Sequence, residues 1–242
     1  MSTVRITVPC QAATSTLHRL SSPPPLRLLD QIAHRIRTDC GHGAAAALVT
    51  AMAYSSCITM SHAYEALAPL KDSPNILLER INRVLWEAGQ GLTTMTFFAA
   101  FIDRKTGVMT YANAGHNHPF LIPEKETDKR LEGSSTKKPF AMIQSRGTPL
   151  GMDPDSTYSS KTLKLKSGDK LFLYTDGLIE CRNPEGKEWG KRKMLKFLEE
   201  IIRDDYKVMT KKMIDTAFKF FNGQSIDDDV TVVVAEISNK NR

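Results

Sequence analysis

Two places in the chain set carboxylates at the ends of apolar runs. In "KLFLYTDGLIE" (residues 170–180) a strand of apolar and β-branched residues ends on Asp176, and Gly177 follows at once. In "DDDVTVVVAEI" (residues 227–237) Asp227, Asp228 and Asp229 stand at the entrance to a second strand. If the two strands are antiparallel neighbours, the end of the first lies beside the start of the second. Acids remote in sequence then meet at one rim of a sheet. Like charges that close repel, and one stays protonated unless a cation neutralises them. An oxygen-only set of this kind selects hard divalent ions, Mg²⁺ or Mn²⁺. Such ions acidify water and aim it at a phosphorus centre, so the chemistry implied is metal-dependent phosphoester hydrolysis. Taken singly, each motif has a plainer reading: T-D-G is a common turn, and acids before a strand often serve only to keep it soluble. The combination is what informs.

The elements that must position these acids follow from periodicity. Residues 44–60 are apolar on most faces and read as a buried helix entered through "GHG". Ser73-Pro74 opens a second helix, with Ile76, Leu77, Ile81, Val84 and Leu85 at helical spacing up to Gly89. "TMTFFAAFID" and "VMTYANAG" flank the turn "RKTG" as a hairpin, and "HPFLIP" is a further short strand. Residues 124–138 are polar, carry both charge signs and read as a mobile loop. "YSSKTLKLK" (158–166) and "KLFLYT" look like a second strand pair around "SGD". Helical patterns over 191–203 and 208–222 precede the last strand, and the second of these is a core helix through Met213, Ala217 and Phe220. Strands joined by tight turns with helices grouped between them predict an α+β fold on antiparallel sheets, with no internal repeat.

Composition bounds the rest. The chain has 242 residues, 41% hydrophobic and 25% charged, an ordinary soluble balance. No apolar run has the length of a membrane span. The net charge of +6 comes with interspersed acids, so the lysine-rich helical stretches read as solvated faces and not as a nucleic-acid footprint. Four cysteines without CxxC pairing favour free thiols and a cytoplasmic location. Residues 1–40 differ from the remainder: the first lysine is Lys71, the first glutamate Glu65, and "SSPPP" interrupts any regular element. Such a segment matches a transit peptide, a disordered tail or a stretch in an unintended frame. The expected organisation is therefore an atypical, poorly ordered 1–40 and a folded domain over 41–238.

The motifs "NAGHNHPFL" (113–121), "LGM" (150–152), "LKSGDKLFLYTDGLIECRNPEGKEWG" (165–190) and "DDDVTVVVAEI" (227–237) occur in an order that resembles the metal-dependent PPM-type serine/threonine protein phosphatases. More narrowly they resemble the bacterial sporulation and sigma-factor-regulating branch, from about residue 41 to 237. The resemblance implies a sandwich of two antiparallel β-sheets flanked by helices and two Mn²⁺ or Mg²⁺ ions at one sheet edge. It also implies hydrolysis of phosphoserine or phosphothreonine by a metal-bridging water, without a phosphoenzyme. Asp176 and Asp228 match metal-ligand aspartates that carry the catalysis, and Asp229 is their neighbour. The implied partner is a phosphorylated regulatory protein of the anti-sigma-factor antagonist type, with a homodimer as an assembly state the sequence leaves open.

One departure concerns the first ligand. Counting back from Gly41, Thr38 stands where the family has an aspartate, and Asp39 falls one position late. On a strand that shift turns its side chain to the other face. The family's earlier Gly-Gly-Asp block is absent, so the expected sandwich lacks its first strands and Asp39 is the substitute ligand. A catalytically inactive, partner-binding module is the alternative function. His42 sits in a helix-entry turn, His116 and His118 read as hydrogen-bonded loop histidines, Asn113 and Gly115 shape a tight backbone path, and Trp86 and Trp189 are packing residues.

Overall fold

The computed structural model of the chain describes residues 2–7, 51–53, 55–56, 73–103, 105–125, 128, 130, 138–224 and 230–239. In chain order the elements are β1 (Ser2–Thr7), α1 (Pro74–Gly89), β2 (Phe97–Ile102), β3 (Val108–Ala114), β4 (Phe120–Ile122) and β5 (Ala141–Met142). There follow β6 (Lys161–Lys164), β7 (Lys170–Tyr174), α2 (Gly177–Glu180), α3 (Gly190–Ile201), α4 (Tyr206–Phe221) and β8 (Val232–Asn239). They divide into two units. Met1–Leu20, Asn117–Gln144 and Lys166–Arg242 make the first; Ser21–His116 and Ser145–Leu165 make the second. No helix among the described residues is long and apolar enough to cross a membrane.

The first unit holds a five-stranded sheet in the order β1-β8-β7-β4-β5, antiparallel throughout. The runs "LFLY" and "VVVA" are apolar at every position, the mark of strands buried on both faces. The register sets Phe172 opposite both Phe120 and Val234, and Tyr174 opposite Val232. These residues share one face, where α3 and α4 deliver Met194, Leu198, Met209, Met213, Ala217 and Phe221 into a single cluster. Asp205 caps the start of α4 by accepting from the Lys207 N–H. Leu171, Leu173, Val233 and Ala235 alternate onto the other face and are buried as well.

In the second unit β2, β3 and β6 form an antiparallel sheet in that order. Leu77, Leu78, Ile81 and Leu85 turn one stripe of α1 into the same cluster as Phe97, Ala99, Ala112 and Ala114. Pro74 sits in the first turn, and Gln90 ends the helix in the left-handed region at φ 47°. Residues 51–53, 55 and 56 are helical, within the first helix that the sequence predicts.

Two expectations are corrected. The strand pair around "SGD" does not form: β6 pairs with β3, while β7 pairs with β4 and β8. The tight turn imitates a hairpin, but β6 is a largely exposed strand at the end of one sheet, and β7 is a central strand of another. An element also precedes residue 41, because Ser2–Thr7 pairs with β8 from Ser2↔Asn239 to Thr7↔Val234. The β-branched run "TVRIT" fits that strand; residues 8–40 lie outside the described set.

The polar loop of residues 124–138 contributes a buried ion-pair network. Arg130 donates to both oxygens of Asp169, at 2.6 and 2.8 Å, and to both oxygens of Asp128, each at 2.9 Å. Lys166 adds its ammonium to Asp128 at 2.6 Å, and its N–H donates to Asp169. Asp169 is buried, so the fork of Arg130 answers a carboxylate that water cannot reach.

That network makes acid sensitivity predictable. Hydrogen bonding from Arg130, with a further contribution from Lys166, holds the Asp128 carboxyl well below its ordinary 3.8. A depressed carboxyl stabilises the fold above its unfolded value, and that contribution fades as pH drops below about 4. Replacing Arg130 with Met is expected to cost about 3 kcal/mol at pH 7, by leaving Asp169 buried without its partner. Urea midpoints at pH 7 and pH 3 should show a smaller acid loss for R130M than for the unaltered protein.

Candidate metal centre

β7 and β8 run antiparallel and adjacent, which is the strand arrangement that the sequence analysis supposes. Beyond the last paired residues, Tyr174 and Val232, the chains stay joined by a reciprocal pair of hydrogen bonds. The Thr175 N–H donates to the Thr231 carbonyl at 3.1 Å, and the Thr231 N–H donates to Thr175 Oγ1 at 2.9 Å. Asp176 is the next residue. It leaves the strand with φ −57° and ψ −36° and heads the short helix α2. Its carbonyl accepts from Ile179 at 2.7 Å and Glu180 at 2.9 Å, so its backbone is held on both sides.

The Asp176 carboxylate is half-buried and, among the described residues, accepts one hydrogen bond, from the Gly177 N–H at 3.0 Å. No lysine or arginine pairs with it among the described residues. An anionic oxygen donor with an oxygen to spare suits a hard divalent ion. Beside it, the Tyr174 ring stacks on Phe120, with centroids 6.2 Å apart. Its hydroxyl is buried and has no hydrogen-bond partner among the described residues. Burial, with a smaller contribution from the charge of Asp176, pushes this phenol up to about 12.

Of the four predicted ligands, Asp176 is the one the structure describes. Asp39, Asp228 and Asp229 lie outside the described residues, as does His42. Among the described residues no three His, Cys, Asp or Glu side chains gather into a metal-binding group. His116 is buried, and its N–H donates to Asn113 Oδ1 at 2.8 Å while its carbonyl accepts from Asn113 Nδ2 at 2.9 Å. Asn113 thus folds the "NAGH" turn, as its spacing suggests. Gly115 has φ 75°, and a Cβ there would meet the Pro149 ring at 3.0 Å.

Asn82 belongs to none of the sequence motifs. Fully buried on α1, it accepts from the Gly151 N–H and donates to the Asp153 carbonyl, both at 2.8 Å, and so ties the "LGM" loop to the helix. A polar residue on the apolar stripe of α1 is the only signal that could have marked it.

Comparison with known proteins places this geometry among relatives. The family model described as "Stage II sporulation protein E (SpoIIE)" matches residues 39–238. The phosphoserine phosphatase RsbU of Bacillus subtilis is 27% identical over 179 residues, which cover 74% of this chain and 50% of RsbU. The chain spans half the length or less of the curated relatives it matches. Among solved structures, the SiaA-PP2C domain of Pseudomonas aeruginosa superposes with a TM-score of 0.63 at 20% identity, over 84% of this chain and 74% of that one. The catalytic domain of the serine threonine protein phosphatase PstP, in complex with two manganese ions, gives 0.57 at 11% identity, covering 99% of this chain and all of that one. These likenesses establish the PP2C-type fold.

The threonine clamp carries its own prediction. Thr175→Val keeps the β-branched shape but removes the acceptor of the Thr231 N–H, and is expected to cost about 1–2 kcal/mol in chemical denaturation. Thr175→Ser, which keeps the oxygen, should recover most of that loss.

Proposed function

The chain belongs to the stage II sporulation protein E family, and on that premise we propose that it is a metal-dependent protein phosphatase acting on phosphoserine or phosphothreonine of a regulatory protein. The observation that carries the reading is the clamp between Thr175 and Thr231. It fixes Asp176 at the rim where β8 begins, and Asp228 precedes Thr231 by three residues. Asp176 and Asp228 are the ligands we assign, with Asp229 and Asp39 completing the oxygen set, and residues 41–238 form the catalytic domain. The ions are Mn²⁺ or Mg²⁺; manganese is supported by the fold neighbour that holds two of them. When bound, such ions lower the pKa of water and offset the charge of the phosphoryl group.

The chain's own residues supply the rest. Asp176 offers oxygen from a backbone that Thr175 and α2 hold from either side. A ligand fixed before the ion arrives loses little freedom on binding. The substrate we assign is a phosphorylated anti-sigma-factor antagonist in the cytoplasm; the phosphoserine phosphatase RsbU supports phosphoserine as the group hydrolysed.

The test is hydrolysis of p-nitrophenyl phosphate and of a phosphoserine peptide, with Mn²⁺ and with chelator. Turnover should require the metal, and Asp176→Asn should lower it by more than about 100-fold while the protein stays folded. A chain that binds the phosphorylated antagonist but never releases phosphate, with Mn²⁺ present, would contradict the proposal in favour of an inactive binding module.

A further inference from the structure

The hydroxyl of Tyr174 is a cost that packing does not explain. The ring is well used: it lies against Phe120 in a near-parallel stack and against Phe172 at 5.8 Å, within the helix-side cluster. A phenylalanine would make the same contacts. The oxygen adds only a polar atom, in a residue 2% exposed, with no partner among the described residues. Buried hydroxyls nearly always find one, and an orphan is a reason to look for a ligand or ion not yet in place.

What lies nearby is Asp176. The phenol closes β7 two residues before it. The residue between them is the clamped Thr175, so neither side chain can drift from the other through its backbone. A neutral O–H is the right chemistry for this place. It can donate to a carboxylate, and it adds no charge that would compete with a cation.

Resting on the reading of Asp176 as a metal ligand, we infer that Tyr174 is a positioning residue, whose hydroxyl donates to the Asp176 carboxylate, directly or through one water, and orients it once the cation is bound. Partners of this kind set ligand orientation and basicity, and their loss weakens metal binding by about 10- to 100-fold. The same hydroxyl, idle without the ion, should contribute nothing to the stability of the metal-free protein.

Those opposite effects make the inference testable with Tyr174→Phe, measured as Mn²⁺ affinity by titration calorimetry and as melting temperature without metal. The expected result is a melting temperature equal to or above that of the unaltered protein, together with Mn²⁺ binding weakened at least several-fold. Unchanged Mn²⁺ affinity would overturn it. So would a lower melting temperature of the metal-free variant, since that would mean the hydroxyl serves the fold. If the unaltered protein takes up no Mn²⁺ at all, the metal-site reading itself falls and this inference falls with it. Loss confined to Tyr174→Phe leaves that reading intact.

Discussion

Everything proposed for this chain depends on the pairing of β7 with β8. Two apolar strands distant in sequence lie antiparallel, in a register that sets Tyr174 opposite Val232 and leaves the next residues, Thr175 and Thr231, joined by reciprocal hydrogen bonds. Both strands are buried on both faces, so a slip by one residue would turn every side chain to the wrong side of the sheet. The register is therefore held by many contacts at once, and Asp176 inherits that precision although it is itself outside the strand. The same geometry explains why the acid follows a threonine. Thr175 spends its N–H and its side-chain oxygen on the neighbouring strand, and Asp176 follows from a fixed backbone.

The two ends of β7 treat charge in opposite ways. At the start, Asp169 is buried and answered in full by the fork of Arg130 and the Lys166 N–H. At the end, Asp176 keeps a carboxylate with one local hydrogen bond and no cationic side chain paired with it among the described residues. A paired acid serves the fold and an unpaired one is available for chemistry. That contrast, within a single strand and its flanks, is the local physical argument for reading Asp176 as functional.

Much of this was legible beforehand, and the parts that were not have physical reasons. Fully apolar runs such as "LFLY" and "VVVA" announce central strands, and "RKTG" between alternating segments announces the β2–β3 hairpin. The link between β6 and β7 misleads because a short glycine turn suggests pairing, whereas strand choice is decided by burial: Lys161 and Lys164 cannot enter a sheet interior. Ser2–Thr7 was hidden by the unusual composition around it. Arg130 and Asn82 were invisible for another reason. Their partners are 39 and 69 to 71 residues away, and one polar residue in a loop or on a helix gives no hint of its distant contacts. At the site, the type and spacing of the acids pointed to Asp176, while the unpartnered hydroxyl of Tyr174 emerged only from three-dimensional packing.

The most direct measurement is diffraction at the manganese absorption edge, from crystals of the full chain grown with Mn²⁺. An anomalous peak is expected in coordination contact with an Asp176 oxygen, with Asp228 among the ligands of the same ion cluster. Manganese bound elsewhere, with Asp176 uncoordinated and Asp228 too distant to share an ion with it, would contradict it.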